Sequence, residues 1–447
     1  MLDLLISGGQ IVTPGGVEPG DIGIRDGRIV AVGGVNEAAA ETLDATGLHI
    51  FPGVIDTQVH FREPGMEHKE DIESGTRAAL HGGVTTIFEM PNTNPPTTTK
   101  EALSDKLSRA AGRAWVDYAF FVGAATDNID ELAELELLPG TPGIKIFVGS
   151  STGSLLVPDD DHIRRVFQAT RLRTPIHSED HFRLEERKSL ISDHPTAHEH
   201  PFLRDVECAR LATERVLRLS AETGHPIHIL HLSTADELPL ISEARREGVN
   251  VTTEITPQHL WFSAPDCYDR LGTYAQMNPP LRSNYHRLEL MQALGHGFFD
   301  VIGSDHAPHT REEKDQPYPK SPSGMPGVQT LLPVMVTIAL RDKVIDLPTI
   351  AKMTSMRPAQ IYGIRDKGVI APGYHADLAL VDLDHDWVVE ESWLQSKCGW
   401  SPYTGETLKG KPIHTLLRGR IALREGERQG AASGQVVEFD RGSVAAV

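Results

Sequence analysis

Short apolar runs alternate with helix-like segments through the middle of the chain, and this alternation constrains the fold more than any other feature. The segments between the runs have helical spacing, and one of them, 204–224, ends on Gly224, a typical helix stop. Strands that alternate with helices predict a parallel sheet, and eight such units predict an α/β fold of the (β/α)8 TIM-barrel type. The eight runs are 53–61, 84–91, 117–123, 143–149, 175–180, 226–233, 250–256 and 299–305.

Both ends of the chain are rich in strand and turn signals. The first fifty residues alternate apolar and polar positions around Gly-Gly and Asp-Gly turns, and similar patterns return at 367–384 and 413–427. We therefore expect one small β-sandwich domain built from both termini. The predicted domains are 1–52 for its N-terminal part, 53–365 for the barrel and 366–447 for its C-terminal part.

Composition is typical of a globular protein and excludes some classes of partner. The 447 residues are 39% hydrophobic and 23% charged, and the formal net charge is −19. An acidic chain without a basic block argues against nucleic acid and anionic membranes. The N-terminus lacks a signal-peptide pattern, so we expect a cytoplasmic protein. The cysteines, Cys208, Cys267 and Cys398, have the spacing of neither a disulfide framework nor a thiolate metal site.

Polar side chains stand at or just after the ends of six apolar runs. In (β/α)8 barrels the catalytic groups lie at the C-terminal ends of the strands, so we expect these six to meet at one rim. Imidazole and carboxylate groups in such a set suit zinc or a similar divalent ion, which activates water and polarises carbonyl groups. The six are His60, Asn92, Lys145, His177, His231 and Asp305.

Lys145 and the clustered histidines need separate interpretation. A buried lysine has a lowered pKa, and its neutral amine can react with carbon dioxide to give a carbamate that bridges two metal ions. The alternative is a barrel lysine paired with a carboxylate. His231 lies nearer its strand end than His228 and is the better candidate ligand. The histidine-rich stretch 194–201 is predicted to be a solvated loop.

Several motifs together resemble the cyclic amidohydrolases, and within them the long-chain bacterial dihydroorotases. HFREPG, EMPNTNPP, NPPLR, SDHAPHT and SGMPGVQTLLPV stand here in the order of that family, and the resemblance runs nearly end to end. It implies reversible hydrolysis of dihydroorotate to N-carbamoyl-L-aspartate in pyrimidine synthesis, with one or two Zn²⁺ ions per subunit. His60, Lys145, His177, His231 and Asp305 match the metal ligands of the family, with Lys145 carboxylated.

The resemblance also implies roles in catalysis and substrate binding. Asp305 would accept a proton from the attacking water and pass it to the leaving ring nitrogen. Arg62, Asn92 and His309 match the positions that bind the substrate carboxylate, and Asn278 the position that contacts the ring. For Arg62, an ion pair with Glu63 or Glu89 is the alternative. A homodimer is a further family-level expectation.

Gln58 departs from the family pattern, which has a histidine ligand at this position. Three interpretations follow: an active enzyme with Gln58 at the edge of a one- or two-metal site, an enzyme with one metal and Lys145 uncarboxylated, or a non-catalytic relative. We favour the active enzyme. The rival functions are a hydantoinase or allantoinase, against which Arg62 and Asn92 argue, and a structural partner of aspartate transcarbamoylase, for which only Gln58 argues.

Overall fold

The computed structural model describes residues 1–149 and 155–441, so the last six residues of the predicted C-terminal domain part lie outside the described residues. Five strands precede the barrel: β1 (Leu2–Thr13), β2 (Gly16–Arg25), β3 (Arg28–Gly33), β4 (Ala39–Asp44) and β5 (Leu48–Pro52). The barrel region contains β6 (Val54–Val59), β7 (Val84–Glu89), β8 (Asp117–Phe120), β9 (Val122–Gly123), β10 (Ile144–Phe147), β11 (Thr174–His177), β12 (Ile227–Ile229), β13 (Val251–Ile255) and β14 (Val301–Ile302). After the barrel come β15 (Leu378–Asp382), β16 (Trp387–Val388), β17 (Thr407–Leu408), β18 (Lys411–Leu417), β19 (Arg420–Arg424) and β20 (Glu427–Arg428).

Within the described ranges, the α-helices all lie between β6 and β15. They are α1 (Ile72–His81), α2 (Lys100–Ala110), α3 (Leu132–Leu135), α4 (Asp160–Ala169), α5 (His181–Arg187), α6 (His200–Leu203), α7 (Val206–Thr223), α8 (Glu237–Arg246), α9 (Pro257–Trp261), α10 (Asp266–Leu271), α11 (Asn284–Gly295), α12 (Arg311–Lys314), α13 (Leu331–Arg341), α14 (Leu347–Ala351) and α15 (Arg357–Tyr362). Asp205 caps α7 at its N-terminus, and Gly224 ends the helix in the left-handed conformation, as the sequence predicts.

The predicted (β/α)8 barrel is confirmed. Strands β6, β7 and β8 pair in parallel, and β9 to β14 pair in parallel in chain order. A break at Phe121 separates β8 from β9, so the run predicted over 117–123 fills one position of the barrel. The circle closes where Val59 pairs with His306 and the His60 N–H donates to the His306 carbonyl at 2.7 Å.

Strands from both ends of the chain build a second β layer, which bears out the predicted fold class. Nine strands form one hydrogen-bonded sheet, in the order β20-β19-β18-β15-β5-β1-β2-β3 with β4 on β1. Strand β1 has a bulge between Ile6 and Gly9, so it pairs with β4 before the bulge and with β5 after it. At Gly9 a Cβ would lie 2.5 Å from Ile50, which explains the glycine. The strands of both termini thus belong to one continuous sheet, and the exact domain limits stay a prediction.

Two further observations bear on the expectations from sequence. Cys208, Cys267 and Cys398 are all buried free thiols. None of the helices in the described ranges combines the length and the apolar character needed to cross a bilayer.

Candidate active site

A cavity of about 110 Å³ opens where the barrel strands end. Of the ten site residues singled out from the sequence, all except His309 line it. Eight of these nine residues lie in or just after six different barrel strands, and Asn278 lies between β13 and β14, so barrel closure brings them together. The lining residues are Gln58, His60, Arg62, Asn92, Lys145, Phe147, His177, His231, Asn278, Asp305, Ala307, Ser323 and Gly324.

Three residues at this cavity have strained backbone conformations. Arg62, His231 and Asp305 have φ angles of 67°, 36° and 45°, a region that side chains other than glycine rarely adopt. Each follows the end of a barrel strand and turns its side chain toward the cavity. Such conformations cost on the order of 1–3 kcal/mol each and persist where the surrounding structure enforces them, typically at functional sites.

Gln58, His60 and Asp305 form one hydrogen-bonded group on the first-strand side of the cavity. His60 Nδ1 lies 2.8 Å from Asn92 Oδ1, and His60 Nε2 lies 3.2 Å from Asp305 Oδ1. Gln58 Nε2 donates to the same Asp305 oxygen at 3.0 Å. An amide nitrogen is a donor only, so Gln58 in this orientation supports Asp305 through Nε2, while its Oε1 is buried without a hydrogen-bond partner among the described residues.

His177 and His231 face each other on the opposite side. His177 Nε2 lies 2.8 Å from Glu179 Oε2, so its Nδ1 carries the lone pair, and that Nδ1 lies 3.1 Å from His231 Nε2. Arg204 forms an ion pair with Glu179. Burial opposes ionisation of Glu179, but Arg204 and His177 outweigh it and hold its pKa below the usual range. Burial also lowers the pKa of both histidines, so both are neutral imidazoles.

Lys145 is buried between these two groups. Its side chain is about 1% exposed, and Nζ has no hydrogen-bond partner within the described part of the chain. Nζ lies 4.5 Å from the centre of the Phe147 ring. Burial lowers the Lys145 pKa well below its ordinary value, although the carboxylates of Asp305 and Glu254 oppose this shift. Burial therefore favours the neutral, nucleophilic form of the amine.

The donor set fits a divalent metal only if Lys145 takes part. Across residues 1–149 and 155–441, no three His, Cys, Asp or Glu side chains converge into a metal site. The 3.1 Å between His177 Nδ1 and His231 Nε2 is close to the roughly 3.3 Å expected for two nitrogen ligands of one tetrahedral zinc ion. Carboxylation of Lys145, whose Nζ lacks a partner, would supply the third ligand. On the other side, His60 and Asp305 are only two ligands.

Arg62 is a buried guanidinium that no carboxylate of the described chain neutralises. It is 7% exposed, and no Asp or Glu oxygen of the described ranges lies within ion-pair distance of it. The alternative partners have other cations: Glu63 pairs with Arg109 and Arg113, and Glu89 pairs with Lys106 at 3.1 Å. Burial lowers the Arg62 pKa to about 10, so the group is charged at neutral pH. Nε donates to the Pro308 carbonyl at 3.1 Å.

His309 lies behind Arg62 and not in the cavity wall. Its Nε2 lies 3.0 Å from the Ser323 carbonyl and 3.2 Å from Arg62 Nη2. Its Nδ1 lies 3.1 Å from Lys69 Nζ. His309 thus lies next to Arg62, with which it was expected to bind the substrate carboxylate. Lys69, which was not singled out from the sequence, lies directly beside His309.

The prediction of a solvated loop over 194–201 is wrong for His200. His194 and His198 are exposed, but His200 begins α6 and is 5% exposed. Its Nε2 lies 3.0 Å from the Met277 carbonyl and 3.1 Å from Asn278 Oδ1, at the cavity wall. The helix start at 200–203 was missed because its single turn is too short to show periodicity.

Two buried carboxylates near the site were given no role from the sequence. Glu254, on β13, accepts a hydrogen bond from Thr57 Oγ1 at 3.3 Å, and burial raises its pKa to about 8. Asp56, on β6, accepts from the Ser304 N–H at 3.0 Å, and burial raises its pKa to about 7. Both occupy strand interiors, where the neighbouring residues give no signal of their partners.

The family is shown by comparison with known proteins. A model described as "Amidohydrolase family" matches residues 49–422. The chain is 35% identical to a dihydroorotase of Methanosarcina mazei over 437 residues, covering 95% of both proteins. It is 33% identical to an allantoinase of Desulfitobacterium hafniense, covering 95% of this chain and 96% of the relative. An L-hydantoinase (dihydropyrimidinase) from Arthrobacter aurescens superimposes with a TM-score of 0.92 at 29% identity, over 98% of this chain and all of the other. With a (β/α)8 barrel, a β layer from both termini and these relatives along nearly its whole length, the chain belongs to the amidohydrolase family.

Proposed function

We propose that this protein is a dihydroorotase, which hydrolyses the ring of L-dihydroorotate reversibly to N-carbamoyl-L-aspartate in pyrimidine biosynthesis. One observation carries the proposal: the buried Arg62 guanidinium at the cavity has no carboxylate partner among the described residues. An unpaired buried charge is costly, so a ligand that supplies an anion gains binding energy there. Dihydroorotate carries a carboxylate, whereas hydantoin and allantoin do not.

The carboxylate of the substrate would bind on the Arg62 side of the cavity. Arg62 Nε is already used by Pro308, so its Nη groups are the donors left for the substrate. Asn92 Oδ1 is engaged by His60, which leaves the Asn92 amide nitrogen as a second donor at the cavity wall. Asn278, held by His200, would contact the ring.

The metal would be Zn²⁺, held by His177, His231 and a carboxylated Lys145. When bound, such an ion polarises the scissile carbonyl group and lowers the pKa of water. We assign one tightly held ion per subunit, because Gln58 presents an amide nitrogen beside His60 and Asp305. The Glu179–Arg204 pair orients the His177 ring, as acidic partners of histidine ligands commonly do.

Asp305 would move the proton during hydrolysis. Its carboxylate lies at the cavity wall, where it can accept a proton from the attacking water and return it to the leaving ring nitrogen. Gln58 and His60 both contact Asp305 Oδ1, so they fix the orientation of this carboxylate. Gln58 therefore has a positioning role in the active enzyme.

A cyclic amidase that opens an uncharged ring is the second candidate, because the allantoinase and hydantoinase relatives align over nearly the whole chain. A non-catalytic partner of aspartate transcarbamoylase is the third. The homodimer, the cytoplasmic location and any such partner stay predictions.

One assay separates the three functions. A single preparation loaded with zinc and bicarbonate is given dihydroorotate, hydantoin and allantoin, and its metal content is counted. We expect turnover of dihydroorotate with the highest kcat/KM. Arg62→Met should lower that kcat/KM by about a hundredfold or more, because one partner of a buried charge pair is lost, and should leave any hydantoin turnover unchanged. Turnover of an uncharged ring alone indicates the second function, and no turnover at all indicates the third.

A further inference from the structure

Lys69 contacts His309, which lies behind Arg62, and does not line the cavity itself. It lies in the loop that precedes α1, and its side chain is 13% exposed. Its Nζ lies 3.1 Å from His309 Nδ1 and 3.1 Å from Glu313 Oε1. The charge of Lys69 is thus already balanced by Glu313, and its contact with His309 has to be explained by something other than charge pairing.

The Lys69 contact determines which nitrogen of His309 carries the proton. A lysine ammonium group can only donate, so His309 Nδ1 must accept and carries the lone pair. The Glu313 carboxylate lies 3.6 Å from Nδ1, too far to accept a hydrogen bond from it. A neutral imidazole with Nδ1 as acceptor has its proton on Nε2, and Nε2–H donates to the Ser323 carbonyl at 3.0 Å. Burial and the Arg62 charge favour the neutral ring, since they lower the His309 pKa to about 3 against the opposing effect of the Glu313 carboxylate.

This tautomer has a consequence for Arg62. Arg62 Nη2 lies 3.2 Å from His309 Nε2, within hydrogen-bond distance. With the proton on Nε2, that atom is a donor and cannot accept from Arg62. With the proton on Nδ1, Nε2 would accept from Arg62 Nη2, and one of the two Nη groups would be consumed inside the protein. The Ser323 carbonyl, at the cavity wall, would lose its donor at the same time.

We propose that Lys69 is a positioning residue for substrate binding: it holds His309 in the Nε2–H tautomer, which keeps both Nη groups of Arg62 available to a carboxylate. The inference rests on the proposed function for the identity of the carboxylate, but the tautomer can be measured without any turnover. Lys69 itself touches neither the substrate nor the reacting atoms.

The tautomer is tested directly by long-range ¹H–¹⁵N spectra of protein labelled with ¹⁵N-histidine. The His309 signals are identified by their absence from His309→Asn. In the wild-type protein we expect a protonated Nε2 and an unprotonated Nδ1, and in Lys69→Met we expect the Nδ1–H form. Lys69→Arg keeps a donor and should retain the wild-type tautomer. A wild-type His309 with its proton on Nδ1, or an unchanged tautomer in Lys69→Met, overturns the proposal.

The effect on anion binding is tested by calorimetric titration with orotate, whose planar ring carries a carboxylate. Lys69→Met should raise Kd about tenfold or more, as expected when a charge-assisted hydrogen bond is lost, and Lys69→Arg should restore most of it. Lys397→Met is the matched control, because Lys397 also pairs with a carboxylate nearby, Asp71 at 3.1 Å, but does not contact His309. It should bind orotate like the wild type.

The outcomes separate this inference from the proposed function. An unchanged Kd in Lys69→Met together with a changed tautomer refutes the link between Lys69 and Arg62. Turnover of the anionic substrate with a raised KM and a nearly unchanged kcat in Lys69→Met supports it. If the wild type neither turns over dihydroorotate nor binds orotate, the proposed function fails, while the spectra still decide the tautomer.

Discussion

The substitution Gln58→Met tests whether Gln58 acts as a hydrogen-bond donor to Asp305 or as a metal ligand. Methionine nearly matches glutamine in size but cannot donate to Asp305, whose Oδ1 receives the Gln58 amide at 3.0 Å. Gln58 is 2% exposed, so water cannot replace the lost donor without rearrangement. Asp305 has a φ of 45°, and we expect its carboxylate to lose its fixed orientation when this contact is removed.

The size of the effect follows from the type of bond. A hydrogen bond to a charged group contributes about 1.5–3 kcal/mol. If the transition state needs the oriented carboxylate, kcat/KM for dihydroorotate should fall by about 10- to 150-fold. Steady-state kinetics, metal content and thermal unfolding are measured on the same samples. Gln329→Met is the control, because Gln329 is buried and donates to the Trp393 carbonyl at 2.8 Å, outside the cavity. It should keep the wild-type kcat/KM.

Two results would refute this reasoning. Loss of metal from Gln58→Met would show that Gln58 is a ligand, and a kcat/KM within about twofold of the wild type would show that its hydrogen bond does not matter. Gln58→His tests the same position from the other side. A third ligand beside His60 and Asp305 should raise the metal content above one ion per chain, and an unchanged metal content would contradict the assignment.

The remaining predictions concern stability and the loop over the site. Lys106→Met should lower the free energy of unfolding by about 3–5 kcal/mol in urea titrations, because it leaves Glu89 charged and unpaired at 0% exposure; adding Glu89→Leu should recover most of the loss. Burial lowers the His225 pKa from 6.5 to about 4, so the unfolded chain binds the extra proton between these pH values. The free energy of unfolding should therefore be complete above pH 6.5 and fall toward pH 4 by about 3 kcal/mol at most for this residue, and His225→Gln should reduce that slope in unfolding curves measured across the range. Lys314, which is buried, donates to the carbonyls of Pro322 at 2.8 Å and Gly324 at 3.1 Å. Lys314→Met should speed limited proteolysis of the loop 315–327 and raise KM, and unchanged cleavage would contradict this role.

Much of the fold and of the site could be predicted because the signals are local. Apolar runs of strand length, helix stops such as Gly224 and polar residues at strand ends are properties of short segments, and they indicate a parallel barrel with one functional rim. The choice of His231 over His228 followed from its position nearer the strand end. In the structure, His231 lines the cavity, while His228 Nδ1 contacts Thr252 at 2.7 Å away from it.

The partners of these residues could not be predicted in the same way. His200 belongs to a single helical turn whose local pattern resembles a loop, and only its contact with Asn278 gives it a place in the site. The sequence offered Glu63 and Glu89 as ion-pair partners for Arg62. In the structure both carboxylates form ion pairs with other residues. Hydrogen-bond partners depend on distances across the barrel, which no short segment encodes.

The sequence by itself determined which elements form and which side chains stand at their ends, because periodicity and turn chemistry act over a few residues. Only the tertiary structure decided what each side chain does there. Gln58 and Asp305 are 247 positions apart, and they meet because the first and last strands of the barrel close on each other. Because of that closure, Gln58, which stands where the family has a histidine, donates a hydrogen bond to Asp305. The fold also places Lys69 beside His309, which in turn lies next to Arg62.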